Sequence, residues 1–183
     1  MNYATIKNCD IANGPGVRVS LFVSGCTHHC KGCFNEVAWD FDYGQPFTQD
    51  TVEQILQMMR PDYIKGLTLL GGEPFEPQNQ PALLDLVRRV KTEYPQKSVW
   101  AFSGYLFDKD ILPCRLGDPA VTTELLEYLD VLVDGRFVAE KKDLSLRFRG
   151  SSNQRLIHVP ASLKTGTVVL WEDWQGEKKG MKL

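Results

Sequence analysis

The stretch VRVSLFVSGCTHHCKGCFN, residues 17–35, joins two signals in one run. VRVSLFVS, residues 17–24, alternates and is rich in β-branched and aromatic residues, which predicts a strand. Cys26, Cys30 and Cys33 follow at once, three thiols within eight positions, with His28 and His29 between the first two. In sheets built from alternating strands and helices, chemistry collects at the carboxyl ends of the strands. A cysteine loop directly after a strand therefore sets the fold expectation for the rest of the chain.

Outward from this loop the pattern repeats. TQDTVEQILQMMR, residues 48–60, places Val52, Ile55, Leu56 and Met59 at helical spacing, with Thr48 as N-cap and Pro61 beyond the end. GLTLL, residues 66–70, predicts a short buried strand ending in Gly71 and Gly72. Residues 80–93 predict a second helix striped by Leu83, Leu84, Val87 and Val90. SVWAF (98–102) predicts a third strand, 122–129 a short helix and DVLV (130–133) a fourth strand. RLIHV (155–159) and TVVLW (167–171) predict a fifth and a terminal one. Strands alternating with helices imply a parallel sheet with crossover helices. The cysteine loop, Gly71-Gly72-Glu73-Pro74, Ser103-Gly104-Tyr105 and Asp134-Gly135-Arg136 each follow a predicted strand, so all four are expected on one rim. A full eight-stranded barrel takes about 250 residues, more than the 183 present. The expectation is an α/β fold, an open, partial (β/α) barrel. It forms one domain, 1–183, with a core of 14–160 and a tail of 161–183.

The composition restricts the function classes. Apolar residues make up 43% and charged residues 24%, which suits a folded domain. A net charge of −2 gives no global field for nucleic acid or anionic lipid. No apolar run reaches membrane-span length, and the start MNYATIKNCD has no apolar signal region. The cytoplasm is the expected compartment, and thiols stay reduced there. Five cysteines are present, and Cys9 and Cys114 lie far from the cluster, so metal or redox chemistry is a better reading of the triad than disulfides.

Three thiols admit several chemistries. A structural zinc site would take them with His28, His29 or His158 as fourth ligand, although no second ligand pair is present. A nucleophilic cysteine needs only one thiol. A 4Fe–4S cluster normally takes four cysteines. Held by Cys26, Cys30 and Cys33 alone, it keeps one iron open for a substrate or cofactor. His28 and His29 then read as loop residues, not ligands.

C-x3-C-x2-C resembles the signature of the radical S-adenosylmethionine (SAM) family. Gly14-Pro15-Gly16-Val17-Arg18, then Phe22 and Gly25-Cys26, is similar to the lead-in of glycyl-radical activating enzymes. GCTHHCKGCFN, GGEPF, VDGRF (133–137) and RGSSNQRLI (149–157) together resemble the branch that activates anaerobic ribonucleoside-triphosphate reductase. The resemblance implies that Cys26, Cys30 and Cys33 hold a 4Fe–4S cluster whose open iron is chelated by SAM. It implies reductive cleavage of SAM, with electrons from a donor such as a flavodoxin, and a glycyl radical made on the reductase. It assigns Glu73 to the SAM ammonium, with Gly71 and Gly72 letting backbone carbonyls approach. It places Asp134 and Arg136 at the SAM site, Arg136 pairing with the carboxylate, and lets Ser103 reach the ribose or carboxylate. Arg149 to Arg155 face the partner or a nucleoside, or form a satisfied loop network. Read without the resemblance, GGEP is an ordinary strand-to-helix turn and Asp134-Arg136 a turn with two solvated charges. Another glycyl-radical partner, a small-molecule radical reaction and a zinc-stabilised interaction module are the alternatives. The oligomeric state is not fixed by these motifs.

Overall fold

Strands β2 (Val17–Val23) and β4 (Ile64–Gly71) run parallel at the centre of the sheet, in register from Arg18 opposite Gly66 to Val23 opposite Gly71. Both are buried on two faces, so they read as near-continuous apolar runs. The structure is a computed structural model and describes residues 1–171. Around the central pair stand β1 (Asn2–Asp10), β3 (Gln45–Pro46), β5 (Ser98–Phe102), β6 (Val131–Asp134) and β7 (Arg155–His158). They form one seven-stranded open sheet in the order β3-β1-β2-β4-β5-β6-β7.

Helices α1 (Gln49–Met59), α2 (Gln80–Glu93) and α3 (Pro119–Glu127) supply the crossovers between the parallel strands. A last helix, α4 (Val159–Thr165), leaves β7 directly. Thr48 caps α1 in a reciprocal box with Thr51. Asp118 caps α3, with Pro119 at its first turn. That pair starts α3 earlier than its apolar stripe predicts.

The side-chain period of two divides the sheet into two faces. Val19, Leu21 and Val23, Leu67 and Leu69, Val99 and Ala101, Leu132 and Ile157 join the main core with the apolar stripes of α1 and α2. Trp100, Val131, Val133 and Leu156 form a second cluster with Phe102, Phe148 and Trp171. On the β2 register of that second face Arg18 is fully buried. Its guanidinium donates to Thr68 Oγ1 (2.7 Å), Leu67 O (2.7 Å), Ser98 Oγ (2.9 Å) and Ser98 O (3.0 Å). Burial pulls its pKa down to about 10, and it bolts β2, β4 and β5 together.

Three expectations change. The sheet is parallel only across β2-β4-β5-β6, because β1 pairs antiparallel with β2 and β7 antiparallel with β6. β7 returns without a crossover helix, so a parallel path is closed to it. The terminal strand at 167–171 reduces, among the described residues, to one bridge, Leu170 to Ile157. β1 was invisible as a strand, since its side chains are mostly exposed or half-buried. Its ladder to β2 is broken by irregularities between Tyr3 and Thr5 and between Lys7 and Asp10. β3 pairs only with Asn2 and Tyr3. Residues 172–183 of the expected tail lie outside the described residues.

Candidate cluster and cofactor site

The cysteine loop leaves β2 through Gly25, whose φ of +92° suits glycine, and a Cβ there would strike the Phe41 ring. Gly25 N donates to Ala38 O (2.9 Å) and Cys26 N to Trp39 O (3.1 Å), so a single 3-10 turn, Glu36–Trp39, closes the loop onto itself. Cys33 N bonds Cys30 O (3.1 Å), which folds the second and third cysteines into a turn.

GGEPFE, residues 71–76, is bonded to this loop rather than only adjacent to it. Glu73 N donates to Gly25 O (2.8 Å) and Gly72 N to Val23 O (2.7 Å). A Cβ at Gly72 would come within 2.5 Å of Gly25 O, and one at Gly71 within 2.7 Å of Phe22 Cα. The two glycines therefore let the chain of β4 press against β2 and its loop. Glu76 Oε1 accepts from Thr27 N (2.8 Å) and Thr27 Oγ1 (2.6 Å).

The Glu73 carboxylate is 1% exposed and accepts four bonds. Oε1 takes Phe75 N (2.8 Å) and Ser103 Oγ (2.9 Å). Oε2 takes Gly104 N (2.6 Å) and His28 Nε2 (3.1 Å). A carboxylate has about four lone-pair sites, and all are used by the protein's own donors. The His28 ring sets Nε2 against Oε2, and its buried Nδ1 has no protein partner. His28 packs edge-on to Tyr105 (4.3 Å), and a Cβ on Gly104 would strike its ring.

The thiols share a common electrostatic logic. Burial pushes Cys26 up to about 12, against N–H donors from His28 and His29 and with Glu73 and Glu76 adding to the rise. Burial also pushes Cys30 up, opposed by the N–H of Phe137 and the charge of Arg136. Asn35 N donates to Cys33 Sγ (3.4 Å). Each sulfur thus has a backbone N–H aimed at it, a donor that can bond a metal-bound sulfur and suits an iron–sulfur loop. Among the described residues, no three His, Cys, Asp or Glu side chains converge on one point as a single bound ion requires.

All three cysteines border a cavity of about 460 Å³. Gly71, Gly72, Glu73, Ser103, Gly104 and Gly135 line it too, so the four post-strand turns do meet on one rim. Asp134 and Arg136 do not line it. Asp134 is fully buried and accepts from Phe107 N (2.8 Å) and from Nε and Nη2 of Arg155. Arg136 is exposed beside Cys30, and its carbonyl accepts from Asn153 Nδ2 (2.8 Å). The RGSSNQR segment forms a loop network. Gln154 accepts from Gly150 N (2.9 Å) and Ser151 N (3.1 Å) and donates to Gly135 O (3.0 Å), while Arg149 donates to Gln154 O (3.2 Å). Sequence reasoning missed Phe102, Phe137 and Leu146 as cavity walls. Phe102 ends a recognised strand, so its parity gave the only available signal.

Comparison with known proteins agrees with this geometry. Residues 12–157 match the family model described as a 4Fe-4S single cluster domain. The anaerobic ribonucleoside-triphosphate reductase-activating protein of Escherichia coli (strain K12) is 44% identical over 161 residues, 87% of this chain and 99% of the relative. That of Vibrio cholerae is 45% identical over 160 residues, 86% of this chain and 97% of the relative. That of Enterobacteria phage T4 is 44% identical over 158 residues, covering 85% and 93%. With the cysteine loop, GGEPFE and RGSSNQR all inside the matched span, the chain belongs to the family of anaerobic ribonucleoside-triphosphate reductase-activating proteins.

Proposed function

We propose that this chain is a radical SAM activase that makes a glycyl radical on anaerobic ribonucleoside-triphosphate reductase. Cys26, Cys30 and Cys33 would hold a 4Fe–4S cluster with one iron left open for SAM. When bound, the cluster would supply the one-electron reduction of SAM from which hydrogen abstraction at a glycine Cα of the partner follows. The electron enters from an external donor such as a flavodoxin.

The observation that carries this reading is the joining of two motifs distant in sequence. His28 bonds Glu73 and Thr27 bonds Glu76, which fixes the cysteine loop against GGEPFE at one wall of the cavity. The cavity, about 460 Å³, lies in the 300–1,000 Å³ range of small-molecule sites. Gly71, Gly72 and Ser103 face SAM with backbone groups from that wall, while the Ser103 hydroxyl stays on Glu73. Glu73 acts through the donors it gathers, since an ammonium could reach it only by displacing one of them. Arg136 contributes positive charge beside Cys30. Asp134 holds Arg155.

The test is anaerobic incubation of the iron- and sulfide-reconstituted chain with SAM, a reductant and the reductase. A glycyl-radical signal in the electron paramagnetic resonance spectrum is expected. A colourless protein that retains zinc, or a brown one that yields methionine but no radical on the reductase, would overturn the assignment at the metal or at the partner respectively.

A further inference from the structure

We propose that residues 136–150 form a docking flap for the protein substrate, and that the flap receives an acidic, extended stretch of polypeptide. The inference rests on the activase reading and names what the mouth of the same cavity recognises.

The flap is tied at its roots. Val138 N donates to Ser151 Oγ (3.2 Å), Ser152 N to Lys141 O (2.9 Å) and Asp143 N to Gly150 O (3.3 Å), and Gln154 and Asn153 hold the carbonyls of Gly135 and Arg136. A loop closed at its base by its own hydrogen bonds is a compact surface loop of the kind that often carries function. Its tip stands in solvent: Leu144 is 90% exposed. Phe34 at 82% and Ile11 at 75% are the next most exposed large apolar side chains among the described residues. Leu144 and Phe34 both line the cavity, and Ile11 directly precedes Ala12 and Asn13, which also line it. The three most exposed large apolar side chains thus gather at one opening. Apolar groups gathered on a surface mark an interaction site, and groups this exposed add little for a small molecule held inside.

Charge identifies the occupant. Between Arg136 and Gly150 stand five cations, Arg136, Lys141, Lys142, Arg147 and Arg149, against two acids, Glu140 and Asp143. The chain as a whole carries −2. The flap therefore presents a local field opposite in sign to the molecule, and an acidic segment is steered to it. The first turn of the flap also places the Phe137 N–H on Cys30, so the docked segment is brought next to the cluster loop.

The experiment uses the reconstituted full chain under anaerobic conditions and the anaerobic reductase as probe. Two readouts are taken: direct binding of the reductase, and its half-saturating concentration for radical formation. Leu144→Asp and the double variant Lys142→Glu/Arg147→Glu are compared with Tyr63→Ser, an exposed apolar change just before β4, at the other end of that strand. Both flap variants should weaken binding by about tenfold or more and raise the half-saturating concentration in step, with wild-type iron content and melting temperature. Added salt should weaken wild-type binding, and Tyr63→Ser should bind as wild type does. Flap variants that bind like wild type overturn the docking proposal even if radical forms. Wild type that binds through the flap but forms no radical leaves docking intact and removes the activase reading. Wild type that does not bind the reductase at all overturns the docking proposal as well.

Discussion

The turns after β4 and β5 and the flap after β6 line the same cavity, yet they are held by opposite means. After β4, a carboxylate 1% exposed gathers four donors from three segments, and Asn79 Nδ2 ties Ser24 O and Glu73 O (both 3.0 Å) from below. After β6, the part-buried Asp134–Arg155 pair, side-chain amides and a few backbone bonds fasten the roots of the flap, and residues 140–145 are exposed throughout. Buried charge-assisted bonds are strong because the low dielectric penalises every alternative arrangement. Exposed amide bonds compete with water and resist displacement weakly. The wall after β4 and β5 is thus held by buried bonds, and the loop after β6 stands mostly in water.

The largest effect should come from removing what the buried wall exists to carry. Cys26→Ala, Cys30→Ala or Cys33→Ala should each abolish stable iron retention after anaerobic reconstitution, read as iron and sulfide content, while Cys9→Ala and Cys114→Ala retain both. Loss of iron in Cys114→Ala would redraw the ligand set.

Next is Glu73→Gln. The amide turns acceptor sites into donors that face donors, which should lower folding stability by about 2–4 kcal/mol in urea unfolding. Unchanged stability with weakened SAM binding alone would return Glu73 to the ammonium and undo the contrast between the two walls.

Gly104→Ala sharpens the comparison without touching a charge. Its Cβ would collide with the His28 ring, and overpacking of this kind costs about 1–3 kcal/mol. The altered His28 position should also change the cluster's electron paramagnetic resonance spectrum, whereas a purely local cost would leave the spectrum as it is.

The smallest effect lies at the root of the flap. Arg155 joins Asp134 to Asp108 (2.6 Å) and holds the Asp108 carboxyl below its ordinary value of 3.8. A depressed carboxylate stabilises the fold above its unfolded pKa, and that contribution fades as the pH falls through the lower folded value. Asp108→Asn should therefore be slightly less stable than wild type near neutrality, and the gap should close below about pH 4. A gap that stays constant down to pH 2 would show that the pair contributes nothing through its charge.

Much of this was readable along the chain, and the limits have physical causes. SVWAF and the stripe of α2 were bounded correctly because their patterns are local. The cysteine loop was legible because thiols at that spacing have few other uses. Asp134 lies off the cavity lining because its partner, Arg155, 21 residues on, is brought back by an antiparallel return that no spacing announces. The four donors that converge on Glu73 from 28, 75, 103 and 104 are not legible along the chain, because they meet only once β2, β4 and β5 are aligned.

The irregular ladder of β1 bears on how the molecule survives in a crowded solution. Beyond Tyr3 the outer edge of β1 has no strand partner among the described residues, and such an edge invites pairing with any other extended chain. Two breaks in register, the charge of Lys7 and a left-handed Cys9 (φ +62°) interrupt that edge. Each disrupts the flat, continuous row of amides that fibril growth needs. The features that hid β1 from the sequence thus also guard its open edge against aggregation.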